Sequence, residues 1–163
     1  MLAGCSDSEA GVVGVAEAQS SSDLSFTLSG SNLVITTENG VPTPPTQAGV
    51  SYGSGITKGS GSPIFVEETT FGTAAPDDRC TAYLPYGADL TSNIVLTYND
   101  GSILQLSAGE GSFFCSDGVV FDAELQGTVA GGEGRFDGAS GAITGSVEVD
   151  GSRLTGNLTV DLD

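Results

Sequence analysis

The sequence predicts an all-β fold, an antiparallel up-and-down barrel of about eight strands. Three observations carry this. No stretch shows the apolar spacing of an amphipathic helix, while Gly (25 of 163 residues), Ser, Thr and Val are abundant. The C-terminal half contains strands that alternate strongly between apolar and polar residues, clearest on either side of the glycine-rich segment. Its alternating runs are separated by Asn99-Asp100-Gly101, Asp117-Gly118 and Asp150-Gly151, which are hairpin turn signals. A chain of this length forms one domain with one core.

Residues 1–23 read as an address and a tether, and 24–163 as the barrel. Leu2-Ala3-Gly4-Cys5 resembles a bacterial lipobox, in which the cysteine becomes the lipidated first residue of a lipoprotein, and the polar run from Ser6 to Asp23 suits a flexible tether. The charged and apolar segments that precede a lipobox are missing, so Met1 reads as a shortened or misassigned start. The plain alternative is that Cys5 is an incidental thiol near a terminus.

Leu24, Phe26 and Leu28 alternate with polar residues up to a break at Gly30-Ser31, and Asn32 to Glu38 follows, so the first pair reads as a hairpin. Asn39 to Ala48, with Pro42, Pro44 and Pro45, is a loop or edge crossing. Val50 to Lys58 and Pro63 to Phe71 supply two further strands, with Gly53, Gly55, Gly59 and Gly61 as bulges and turns. In the second of these, Phe65, Glu67 and Thr69 share one face and Ile64, Val66, Glu68 and Thr70 the other. Whichever face is interior therefore carries one carboxylate inward.

Beyond the loop Gly72 to Asp78, Arg79, Tyr83 and Tyr86 cluster around Cys80. Ile94, Leu96 and Tyr98 then pair across a turn with Leu104, Leu106 and Ala108. Phe113, Phe114 and Cys115 precede the Asp117-Gly118 turn. Val119, Phe121, Ala123, Leu125, Gly127 and Val129 form one face of the next strand, and Asp122, Glu124, Gln126 and Thr128 the other. Ile143 to Val149 and Leu154 to Leu162 complete the set. Mixed large and small residues on the inward face suit a closed barrel.

The segment Gly131-Gly132-Glu133-Gly134-Arg135-Phe136-Asp137-Gly138-Ala139-Ser140-Gly141 resembles one found in allene oxide cyclases, dirigent proteins and bacterial secreted proteins of the same barrel superfamily. The resemblance is clear over Gly127 to Val149 and weaker from Ser92 onward. Its residues read as folding residues: Gly131, Gly132 and Gly134 permit positive φ, Phe136 plugs the core, Gly138 and Gly141 re-aim the chain, and Arg135 has no catalytic part. The resemblance implies a barrel mouth for a hydrophobic substrate and self-association into dimers or trimers. No substrate-contacting residue of the family can be carried over.

The net charge of -17, from 21 acidic and 4 basic residues, excludes nucleic acids and anionic lipid surfaces as partners. It also points to a cation-rich medium, against the plainer reading of surface solubility. Without histidine, Ser-His-Asp and Cys-His catalysis and His-ligated zinc are absent. Cys80 and Cys115 read as a disulfide in an exported compartment, closing a loop of about 35 residues and contributing roughly 3 to 4 kcal/mol. A reactive Cys115 thiol would lack a neighbouring cation. Asp77-Asp78, Asp100 and Asp150-Gly151 fit no calcium loop and read as turns, so no metal and no cofactor is expected.

The expected function is a lipid-anchored binding module on a bacterial membrane, or a secreted one. Its partner is an apolar small molecule, a glycan or an envelope protein, and membrane contact is through the anchor alone. The alternative is a cofactor-free cyclase or isomerase, with Glu67 or Glu68 as acid/base, Tyr83 or Tyr86 as donor and Arg79 as anion stabiliser. The plain reading makes the glutamates solvated strand residues, the tyrosines a core or rim pair, and Arg79 a partner of Asp77 or Asp78.

Overall fold

A computed structural model describes residues 23–35, 46–57 and 62–163. The strands are β1 (Leu24–Ile35), β2 (Thr46–Thr57), β3 (Ile64–Gly72), β4 (Ala75–Pro76), β5 (Tyr86–Thr97), β6 (Ile103–Ala108), β7 (Phe113–Ser116), β8 (Val120–Glu133), β9 (Gly141–Asp150) and β10 (Arg153–Leu162). All pairings are antiparallel, and each long strand lies beside its neighbours in sequence. Pairing of β1 with β10, starting at Leu24↔Val160, and of β3 with β5 closes the ring.

The ten strands make eight staves. β4 is a two-residue attachment to the start of β5. β6 and β7 together form one stave between β5 and β8, β6 pairing with Ser92–Thr97 and β7 with Tyr86–Asp89. Ser112 mends the ladder where they part. Its buried hydroxyl donates to the Gln126 carbonyl and accepts from the Gln126 N–H, both at 2.9 Å. The interruption therefore leaves no backbone group of Gln126 unpaired.

Inward positions of β1, β5, β6, β9 and β10 meet in one apolar core that includes Phe26, Leu28, Ile94, Leu96, Leu104, Leu106, Ile143, Leu154 and Leu158. In β5 the alternation is nearly perfect, with buried Leu90, Ser92, Ile94 and Leu96 separated by exposed residues. Glycine at 127 answers a different need. A Cβ there would collide with the backbone of Ser107 and Ala108, so the wall can curve only if this inward position stays bare.

The glycine-rich segment closes one end. β8 runs into a single 3-10 turn, Gly134–Phe136, and Phe136 enters the core with its ring 5.2 Å from that of Tyr98. Arg135 lies 4.1 Å over the Tyr98 ring and pairs with Asp100 at 3.1 Å, tying the β8–β9 connection to the β5–β6 turn. Gly131 (φ 153°) and Gly134 (φ 68°) have positive φ as expected, and so do Gly138 (φ 73°) and Gly141 (φ 150°), where the chain turns into β9. Gly132 does not. Its requirement is proximity, since a Cβ would come within 2.6 Å of the Phe136 Cβ.

Other expectations also need correction. β1 is continuous through Gly30-Ser31, because Gly30 pairs with Leu154 on one side and Gly53 on the other; the hairpin partner of β1 is β2. β2 begins at Thr46, inside the span expected to be loop. Val119 is 65% exposed, since it belongs to the turn before β8 and not to its inward face. Cys5, the tether to Ser22, residues 36–45 and Lys58, Gly59 and Gly61 lie outside the described residues.

Candidate functional site

The end of the barrel opposite the glycine-rich closure is built by the end of β3, the start of β5, and the β7–β8 turn. Inward positions there are aromatic: Phe71 on β3, Phe114 on β7 and Phe121 on β8. Phe71 and Phe114 meet edge to face at 5.2 Å, Phe114 and Phe121 are 5.7 Å apart, and Phe71 and Phe121 are 6.3 Å apart. Phe71 and Phe121 stay only partly covered.

Beside them lies a cleft of about 430 Å³, lined by Gly72, Thr73, Ala74, Tyr86, Phe114, Ser116, Asp117, Gly118 and Phe121. Its polar groups are mostly committed to the turn. Ser116 Oγ accepts from the Gly118 N–H at 2.9 Å, and Asp117 Oδ1 accepts from the N–H groups of Val119 and Val120 at 2.8 and 2.9 Å. Those backbone donors hold the Asp117 carboxyl below its usual range, so it is ionised at neutral pH. Larger depressions of about 620 and 540 Å³ lie on the outer wall, among outward side chains such as Thr27, Asn157, Glu148 and Thr144. The aromatic floor distinguishes the end cleft from both.

The adjoining loop 77–85 is held at several points. The Asp77 N–H donates to the Pro85 carbonyl at 3.2 Å and closes the neck. Arg79 grips Asp77 through Nε (3.0 Å to Oδ1) and Nη2 (2.6 Å to Oδ2), reaches Asp89 at 2.7 Å, and lies 4.9 Å over the Phe113 ring. The Arg79 hydrogen bonds pull the Asp77 carboxyl down to about 2. Cys80 is disulfide-bonded to Cys115, with 5.5 Å between Cα atoms, which fastens the loop to β7. The pairing answers the alternative of a reactive Cys115 thiol.

The five residues considered for acid/base chemistry do not converge. Glu67 faces the interior at 6% exposure, accepts a 2.7 Å hydrogen bond from Ser92 Oγ, and has its pKa pushed up by burial. Glu68 is exposed on the outward face. Tyr83 is 89% exposed on the loop, and Tyr86 forms a rim of the cleft at 46% exposure. Glu67 pairs with Ile94, which lies roughly 26 Å along β5 from Tyr86 at ~3.3 Å per residue. Arg79 is bound by two carboxylates, Asp77 as expected and Asp89 in place of Asp78.

The aromatic trio was hidden in the sequence. Phe71, Phe114 and Phe121 look like ordinary core residues of three separate strands. Their one signal is position, each being the inward aromatic of its strand that stands nearest a turn or loop. No family model, no curated protein and no solved structure matches this chain.

Proposed function

We propose that the protein is an extracytoplasmic binding barrel, anchored through a lipid on Cys5, that takes an apolar small molecule in the end cleft. The aromatic cleft beside a disulfide-fastened loop carries this reading. Partly covered aromatic rings at a mouth offer apolar area to a ligand, and a loop fixed in advance loses little entropy when one binds. The disulfide is consistent with an extracytoplasmic location. Closure into eight staves, with the glycine-rich segment between β8 and β9, supports a relationship to allene oxide cyclase and dirigent barrels.

The test is titration of the disulfide-intact protein with N-phenyl-1-naphthylamine, a neutral probe that fluoresces in apolar surroundings. The expected result is saturable binding that Phe121→Ala weakens by about tenfold or more, given the area one ring contributes. Absence of saturable binding, or equal binding by the variant, overturns the reading. For the anchor, intact mass of membrane-extracted protein must show an acylated Cys5, and Cys5→Ser must abolish it.

A cyclase or isomerase remains the second reading because Glu67 is a carboxyl inside the barrel whose pKa burial pushes up, as acid/base work requires. A ligand found by native mass spectrometry after incubation with cell extract, and converted equally by wild type and Glu67→Gln, sinks it.

A further inference from the structure

We propose that the end cleft selects ligands combining an apolar body with a cationic head, an ammonium or guanidinium group. This rests on the cleft being a ligand site and specifies what it accepts. An apolar groove alone would take any hydrophobic molecule; the discrimination comes from what surrounds it.

Asp117 lines the same cleft as Phe114, Phe121 and Tyr86. Both hydrogen bonds that fix its side chain end on Oδ1, and Oδ2 takes neither. The carboxylate is therefore charged, oriented by the turn, and still has an oxygen to offer. A cation placed there meets a carboxylate together with aromatic faces, the two groups that bind ammonium ions best in partly desolvated surroundings.

The neighbouring charges act in the same sense. Asp77, Asp78 and Asp89 stand on the adjoining loop and strand, and the nearby cation, Arg79, is already paired with Asp77 and Asp89. With a chain charge of -17 behind them, an anionic head group would be repelled from this mouth and a cationic one drawn to it.

Displacement of N-phenyl-1-naphthylamine by three ligands with the same tail tests this: octyltrimethylammonium, octyl glucoside and octyl sulfate, all below micellar concentrations. The ammonium is expected to compete about tenfold better than the glucoside, and the sulfate worst. Asp117→Asn, which can still accept both turn bonds, should bring ammonium and glucoside within about twofold. So should Tyr86→Leu, which keeps apolar area and removes a ring face at an exposed position. Asp161→Asn, at the other end of the barrel, should leave the ratio unchanged and so separates local recognition from general attraction. Equal competition by ammonium and glucoside in the wild type, or equal losses in the Asp117 and Asp161 variants, overturns cation selection while the apolar cleft stands. Failure of the probe itself to bind overturns both readings.

Discussion

Glu67 shows most plainly how one residue can set a property of the protein. Its side chain is buried on the inward face of β3, with Ser92 donating to the carboxyl and Thr69 Oγ1 donating in turn to Ser92 at 3.2 Å. Burial outweighs these bonds and raises its pKa, so the folded protein holds this proton more tightly than the unfolded chain. The stability it contributes is complete below the ordinary glutamate range and is lost as pH rises through the folded value. Glu67→Gln keeps an oxygen for Ser92 and has no charge to bury. Thermal melts from pH 4 to 8 should show the variant gaining on wild type as pH rises; parallel curves would refute this. The sequence placed one of the two adjacent glutamates inside, and the period of two could go no further. The choice fell on Glu67 because Phe65 shares its face, leaving Ile64 and Val66 at 61% and 50% exposure outside.

At the scale of elements, hairpins announced by Asp-Gly or Asn-Asp-Gly were legible because each turn is a local affair. The joins between β5 and β6, β7 and β8, and β9 and β10 stand where they were expected. What escaped was non-local. Gly30 reads as a break, yet pairing on both sides holds it in strand, and the shared stave of β6 and β7 becomes visible only once β5 and β8 run along both. The cleft was illegible for the same reason: three phenylalanines scattered over the sequence became neighbours through pairing.

The Cys80–Cys115 bond spans 35 residues and fastens the loop 77–85 to β7. Replacing both cysteines with serine should lower unfolding free energy by roughly 3 to 4 kcal/mol. Urea denaturation of the two proteins checks the magnitude. Since β5 and β8 still pair on either side of β7, the variant's far-UV circular dichroism should remain that of the barrel.

For the whole molecule, charge is the dominant fact. With 21 acidic and 4 basic residues, and carboxylates such as Asp122, Glu124, Glu148 and Asp161 exposed along the wall, folding brings like charges together. Salt screens that repulsion over a distance of about 10 Å at 0.1 M and about 3 Å at 1 M. The urea midpoint should therefore rise between 0.05 M and 1 M sodium chloride. A midpoint that does not move would show that the carboxylates are spaced too widely to oppose one another.

Closure through β1 and β10 also governs when the fold can complete. Leu24 and Val160 are among the most distant residues in the sequence to be paired, and the ring stays open until both are present. Contacts of such long sequence separation make barrels slow to fold. In a chain threaded across a membrane with its N-terminus leading, β1 would emerge with one edge bare and wait for the last ten-residue strand. The final step of folding would then follow release of the whole chain, and an unpaired β1 would be what a chaperone on the far side had to shield.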